Sequence, residues 1–238
     1  KSVKKIPQGV LGIMSASVFI SMGNCINWRK VKEAGASFAA AKATEGLRGL
    51  DREFARNWPA MFKAGIKIRI AYHYAHIESD PYEQDRHFVS TVREAGRIGR
   101  GDFLALDAED VCKTSYRISP GATADWCQKF LNEVVRLTGL PRKRVLVYTG
   151  QWWWTPRTGG DDGPAKTGHP LWLSGYVSDE KKLSSRPWRV WRFWQYTNGT
   201  NPRVISTPGI GRCDRNVFNG TYRGLWWLSG RSLSRLLG

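Results

Sequence analysis

The chain has 238 residues, of which 41% are hydrophobic and 24% charged, a composition that excludes a disordered protein and is typical of a globular one. Its 37 lysines and arginines against 20 aspartates and glutamates give a formal net charge of +17. Such an excess predicts attraction to a polyanion, whether nucleic acid, an anionic membrane or bacterial cell wall, and charge alone does not choose among them.

The chain begins with a basic stretch, residues 1–5, followed by a weakly apolar stretch, residues 10–22. This order is found in signal peptides, but glycine and serine interrupt the apolar part, and it is too short to span a bilayer as an ordinary helix. We therefore expect a first buried strand and no stable membrane insertion. A secretory or weak-anchor role for residues 1–22 remains the alternative.

Short apolar runs then alternate with amphipathic helical stretches up to about residue 150, which favours parallel β/α units. Beyond that point proline, glycine and tryptophan dominate, and we predict a long loop at residues 155–169 between plain strands. The predicted fold is a single irregular α/β barrel, TIM-like, with about five β/α units and then three strands. It occupies residues 1–222, and residues 223–238 are expected to form a basic tail. The predicted strands are residues 12–16 or 18–21, 37–42, 67–74, 103–107, 144–148, 171–176, 190–196 and 214–218, and the predicted helices are residues 27–34, 51–65, 80–95 and 123–138.

The four cysteines permit three disulfide pairings, and their spacing selects none of them. Free thiols are expected in the cytosol, whereas a bridge from Cys112 to Cys127 or from Cys25 to Cys213 would suit an exported protein. No cysteine or histidine spacing matches a zinc site, so we expect neither a metal nor a cofactor.

The most informative motif is Asp107-Ala108-Glu109, which follows an apolar run. Side chains two residues apart leave a strand on the same face, roughly 7 Å apart. Two carboxyl groups so close, among apolar neighbours, favour one protonated group at neutral pH, and a proton donor beside a negative charge suits glycosidic bond cleavage. The structural alternative is that these acids cap the next helix or pair with lysine and arginine.

Other polar and aromatic runs also stand where predicted strands end. In a parallel barrel such ends meet at one mouth, which is where active sites of this architecture lie. Many of the twelve tryptophans are clustered, and tryptophan stacks well on sugar rings, although packing in the core is an equally good account of any single one. The runs are Lys42 to Glu45, Tyr72 to Tyr74, Tyr148-Thr149, Trp194 to Tyr196, and Asp214.

From these motifs the chain resembles the glycoside hydrolase family 25 lysozymes, the muramidases used by phages as endolysins, over roughly residues 9–220. The order and spacing of the matching runs make the resemblance specific. Those runs are Ile26-Asn27-Trp28, Val31 to Gly35, Phe38 with Lys42 to Gly46, Ala64-Gly65-Ile66, Ala71 to Ala75, Leu106 to Glu109, Leu171-Trp172-Leu173, Trp194 to Thr197, and Asp214 to Phe218.

The resemblance implies a peptidoglycan hydrolase that cleaves the β-1,4 bond between N-acetylmuramic acid and N-acetylglucosamine. It implies that Glu109 is the general acid, that Asp107 orients the substrate acetamido group, and that Asp214 completes the catalytic set. It also implies a phage-encoded monomer that acts at the host wall after lysis or secretion, or as part of a virion. The implied substrate-binding residues are Tyr72, Tyr148, Trp194, Gln195 and Glu45.

The first strand departs from the family, whose members open with Gly-Ile-Asp-Val-Ser. Here the two candidate alignments are Gly12-Ile13-Met14-Ser15-Ala16 and residues 18–21, and neither contains a carboxylate. The alternative function is therefore a weakened or inactive wall-binding or structural module on the same barrel. A basic nucleic-acid binder is the third hypothesis, but no recognised motif accompanies the charge, so specific nucleic-acid binding is not expected.

Overall fold

The computed structural model describes the backbone of residues 10–15, and both backbone and side chains of residues 26–110, 117–177, 179–199 and 206–232. The strands are β1 (Val10–Ser15), β2 (Phe38–Glu45), β3 (Gly49–Leu50), β4 (Arg69–Tyr74), β5 (Asp102–Asp107), β6 (Val145–Thr149), β7 (Leu171–Ser174), β8 (Trp191–Thr197) and β9 (Asp214–Phe218). The helices are α1 (Trp28–Glu33), α2 (Phe54–Lys63), α3 (Pro81–Ala95), α4 (Pro120–Thr138), α5 (Gln151–Thr158), α6 (Gly163–Thr167) and α7 (Tyr222–Leu228).

Eight of these strands pair in a closed ring. The order is β1-β9-β8-β7-β6-β5-β4-β2, and β1 closes it by pairing with β2, while β3 lies beside β2 alone. Strand β9 runs antiparallel to both of its neighbours, and the remaining pairs in the ring are parallel. The predicted α/β architecture is confirmed, with five β/α units followed by the three strands β7, β8 and β9.

The strands form because they are apolar on both faces, as expected of parallel strands covered on both sides. In β5, Leu104 and Leu106 pack outward among helix residues, whereas Phe103 and Ala105 pack into the barrel interior. Every residue of β5 is buried. The same alternation places Asp107, the last residue of β5, on the inward-facing side of the strand.

Local capping explains why the predicted helix starts are close to the observed ones. The side chain of Asp80 accepts a hydrogen bond from the backbone N–H of Glu83, and Ser119 caps α4 in the same way. A proline, which lacks the N–H that the first turn leaves unused, follows each cap.

The long loop predicted for residues 155–169 is wrong, because α5 and α6 occupy most of it. Trp153 and Trp154 are fully buried, so α5 is held by packing rather than by its weak amphipathic pattern. Helix α6 has Pro164 in its first turn and ends at Thr167, and the following Gly168 caps it with a φ of +90° that suits glycine. The first strand is β1, which overlaps the first of the two predicted positions, and residues 18–21 lie outside the described ranges.

Residues 223–228, assigned above to the basic tail, form most of α7. Leu225 and Trp226 are buried with the side chains that fill the barrel interior, and the Gly101 N–H donates to the Ser229 carbonyl over 2.9 Å. Helix α7 thus covers the end of the barrel at which β4, β5 and β6 begin. Residues 233–238 of the predicted tail lie outside the described ranges.

Cys127 and Cys213 are buried free thiols, so neither the Cys112–Cys127 nor the Cys25–Cys213 bridge is present. Cys25 and Cys112 lie outside the described ranges. Within those ranges, no helix has the length and apolar character needed to cross a bilayer.

Candidate active site

The two acids of the Asp107-Ala108-Glu109 motif stand at the carboxyl end of β5. Asp107 is the last strand residue and is buried, while Glu109 lies beyond the strand and is partly exposed. The Ala108 N–H donates to the Tyr148 carbonyl over 2.8 Å, and the Thr149 hydroxyl donates to the Ala108 carbonyl over 2.7 Å. These bonds to the end of β6 hold the motif at the barrel mouth, although Glu109 leaves a loop rather than the pleat predicted from sequence.

Burial and neighbouring negative charge favour the protonated forms of both acids. Burial, and then the charge of Asp214, raises the pKa of Glu109 to about 7. Burial, and then the charge of Glu109, raises the pKa of Asp107 well above its usual value. The positive charge of Lys42 acts against both shifts. The pair therefore retains bound proton near neutral pH, as the sequence predicts.

Asp214 begins β9 and faces the same interior. Burial raises its pKa to about 7, and one carboxylate oxygen accepts a 3.2 Å hydrogen bond from the Gln195 side-chain amide. Among the described residues, Oδ1 of Asp214 and Oδ1 of Asp107 are buried without a hydrogen-bond partner. Buried polar oxygens are normally bonded, so these two are available to a ligand.

Gln195 joins Asp214 to two tyrosines. Its side-chain carbonyl accepts hydrogen bonds from the hydroxyls of Tyr148, at 2.9 Å, and Tyr176, at 2.5 Å. Tyr148 and Tyr72 are both 3% exposed, and each packs edge-on against Trp172. The predicted residues Tyr72, Tyr148, Gln195 and Asp214 therefore lie along one interior surface with Asp107.

A basic group stands at the end of β2. Lys42 forms an ion pair with Glu45, and its ammonium lies 5.0 Å from the centre of the Tyr74 ring. His76 Nε2 is 3.2 Å from the other Glu45 oxygen. Burial opposes ionisation of Glu45, but Lys42 and His76 hold the pKa of that carboxyl below its usual value. The sequence analysis placed Lys42 at the barrel mouth but gave it no role. A lysine expected beside several acids could have been identified as their counter-charge.

Trp194 does not face the barrel interior. The pleat of β8 turns Phe193 and Gln195 inward, and Trp194 packs in the outer layer, where it is 2% exposed and its indole donates to the Gly175 carbonyl over 2.7 Å. Ten of the twelve tryptophans are buried, so most serve packing. Exposed aromatic surface after the strand ends comes instead from Trp152 and Tyr176, which sequence reasoning did not select.

Met14 occupies the β1 position beside Asp214. It is in register with Asp214 on β9 and with Ala40 on β2. The backbone thus places position 14, the candidate of the first alignment, beside Asp214, whereas residues 18–21 of the second alignment lie outside the described ranges. Within the described ranges, no group of three or more histidine, cysteine or carboxylate side chains is arranged to hold a metal ion.

Comparison with known proteins identifies the family. The model of glycosyl hydrolases family 25 matches residues 20–203. Lysozyme M1 of Streptomyces globisporus is 33% identical over 218 residues, which are 90% of this chain and 70% of that protein. The bacterial lysozyme from Streptomyces coelicolor has a TM-score of 0.77 at 30% identity, covering 93% of this chain and 97% of that one. A muramidase from Trichobolus zukalii has a TM-score of 0.76 at 27% identity, covering 92% and 98%. These matches confirm the resemblance seen in the motifs, and the chain belongs to glycosyl hydrolases family 25.

Proposed function

We propose that this protein is a muramidase that hydrolyses the β-1,4 bond between N-acetylmuramic acid and N-acetylglucosamine in peptidoglycan. The observation that carries the proposal is a group of three acids at the barrel mouth, with Asp107 buried and Glu109 and Asp214 half-buried, in which the pKa of Glu109 is raised to about 7. Family membership and similarity to a lysozyme and a muramidase support the same substrate class.

In the first step, protonated Glu109 donates its proton to the glycosidic oxygen as the bond breaks. The acetamido oxygen of the substrate, oriented by Asp107, attacks the anomeric carbon and forms a cyclic intermediate. Glu109, now ionised, takes a proton from water as that water opens the ring at the anomeric carbon. Two displacements at one carbon retain its configuration, and no enzyme nucleophile is required.

The remaining mouth residues have distinct roles in this proposal. Lys42 limits the build-up of negative charge, and the free oxygen of Asp214 accepts a hydrogen bond from substrate. Gln195 and Tyr148 fix the orientation of Asp214 through the hydrogen bonds described above. Tyr72 shapes the inner wall, and Glu45 orients Lys42. The exposed rings of Trp152 and Tyr176 offer stacking surface for sugars.

The absence of a carboxylate at position 14, and equally at residues 18–21 of the other candidate alignment, favours a second candidate, a wall-binding module with little or no turnover. A negative charge at this position of β1 would stabilise positive charge on the sugar, and losing such a group commonly lowers the rate by on the order of 10²-fold. A slow enzyme and a binding module share the same cleft, so only measured turnover separates them. In either case we propose the bacterial wall as the site of action, with phage origin and a monomeric state as further expectations.

The test adds purified protein to Gram-positive cell walls and measures new reducing ends. We expect wild-type protein to release them, Glu109→Gln to release almost none, and the exposed control Glu94→Gln to match wild type. Wall binding by the wild type without any release would replace the muramidase by the binding module. Full release by Glu109→Gln would overturn the assignment of the acid.

A further inference from the structure

The end of the barrel opposite the mouth carries a surface that the proposed function does not use. We call it the basic end, and we define it by Lys67, Arg100, Arg142, Lys143 and Arg231 together with the exposed rings of Phe62 and Trp227. The first four residues stand just before β4, β5 and β6, and Arg231 follows α7.

Hydrogen bonds and a ring contact bring these residues onto one surface. The guanidinium of Arg231 donates to the Lys67 carbonyl over 3.0 Å. The bond from the Gly101 N–H to the Ser229 carbonyl joins the turn containing Arg100 to the end of α7. The ammonium of Lys143 lies 4.2 Å from the centre of the Trp227 ring, which is carried by α7. The cations of three loops are thus gathered around one helix.

Little negative charge offsets these cations. All 20 acidic residues of the sequence lie within the described ranges, and within those ranges Lys67, Arg100, Arg142 and Lys143 form no ion pair. Asp102 is buried beneath the surface and is paired with Arg69. The exposed acid Glu94, in the last turn of α3, lies on a neighbouring helix. The basic end therefore has a surplus of positive charge facing water.

Apolar rings accompany that charge. Trp227 is 58% exposed and Phe62 is 41% exposed, and the Lys67 ammonium lies 3.8 Å from the centre of the Phe62 ring. Tryptophan beside lysine and arginine is the combination that favours a membrane interface, where the ring contacts the acyl boundary and the cations meet phosphate.

We propose that the basic end docks on the surface of an anionic phospholipid bilayer without inserting through it. A dissolved phosphate polymer would satisfy the cations but would leave both rings in water, whereas a bilayer surface accommodates cations and rings together. Docking does not depend on the proposed muramidase activity. If that activity is confirmed, docking would hold the enzyme on the membrane with its cleft facing the wall.

The test is co-sedimentation with vesicles of phosphatidylcholine alone or with 30% phosphatidylglycerol. We expect wild-type protein to bind the anionic vesicles and not the neutral ones. The double variant Arg142→Glu with Lys143→Glu should bind at least about tenfold more weakly. Its matched control, Lys181→Glu with Lys182→Glu, makes the same change of charge in the exposed turn after β7 and should bind like wild type.

A second pair of variants tests the rings. Trp227→Ala should weaken vesicle binding several-fold, while Tyr82→Ala, an exposed ring in the first turn of α3, should not. Thermal melting of each variant shows that it is folded. The proposal would be overturned if wild-type protein did not bind anionic vesicles, or if both charge variants lost vesicle binding equally. It would also be overturned if Arg142→Glu with Lys143→Glu lost binding to duplex DNA but kept its binding to vesicles.

Discussion

The two buried aspartates of β5 show how one strand serves two purposes. At its start, Asp102 accepts hydrogen bonds of 2.8 and 2.9 Å from Arg69 and another of 2.8 Å from the Gly99 N–H. At its end, Asp107 has a buried oxygen with no partner among the described residues, and its main charged neighbour is a second acid, Glu109. The strand start is built for stability, and the strand end leaves an acid unsatisfied where a substrate can use it.

Asp107→Asn tests the functional end of β5 and should have the largest effect on turnover. The amide keeps the shape but removes the ionisable carboxyl group that orients the acetamido group, so we expect turnover to fall by on the order of 10²-fold or more. Folding should be retained or slightly improved, because burial disfavours the ionised carboxylate in the folded state. Reducing-end release from walls and thermal melting measure the two effects. Near-normal turnover would refute the role of Asp107.

Asp102→Asn should show the opposite pattern. It leaves the buried Arg69 guanidinium without its charged partner, and removal of one member of a buried ion pair costs about 3–5 kcal/mol in unfolding free energy. Turnover per folded molecule should stay close to wild type, because the pair lies at the far end of β5. Urea denaturation combined with the wall assay checks both parts. A stable variant with impaired turnover would contradict the division between the two strand ends.

Met14→Asp sharpens the comparison by introducing a carboxylate at the β1 position in register with Asp214. If the missing group limits the rate, we expect turnover to rise about tenfold, since electrostatic groups of this kind commonly contribute that much or more. The matched control Met14→Asn has a similar size without charge and should give no gain. Equal turnover for Asp, Asn and wild type at this position would show that the missing charge matters little.

Asp214→Asn should have the smallest effect of the four variants, a shift in the pH dependence of turnover. Activity requires protonated Glu109, so wild-type turnover should fall as the pH rises through about 7. Removing the Asp214 charge makes ionisation of Glu109 easier, which lowers its pKa and moves the alkaline limb to lower pH by up to about one unit. Turnover is measured on cell walls from pH 5 to 9. An alkaline limb at the same pH in Asp214→Asn and in wild type would show that the charge of Asp214 does not raise the pKa of Glu109.

The sequence was sufficient for the barrel and for the position of Asp107 at a strand end, whereas Glu109 lies in the loop beyond the predicted pleat. Apolar runs at regular spacing predicted the strands, and the helix predicted from Asp80 begins at that cap, because these signals are local. The inward or outward direction of Trp194 was not predictable, since it depends on the register of β8 with β7 and β9, where both pairings are irregular. Helices α5 and α7 were missed because buried tryptophans, rather than helical periodicity, stabilise them.

The neighbours that set the acidity of Glu109 also could not be read from the sequence. Lys42, Asp107 and Asp214 lie on three different strands, and only folding brings their charges together. The motif predicted that one acid would hold a proton, but its environment decides which one and at what pH.

The most direct test is a carboxyl-carbon NMR titration of Glu109, assigned by comparison with Glu109→Gln. We expect a pKa near 7, raised by burial and by the charge of Asp214, and a lower value in Asp214→Asn. A Glu109 pKa at the ordinary value of about 4.3 in the folded wild type would contradict it, because the acid would then be ionised when it must donate a proton.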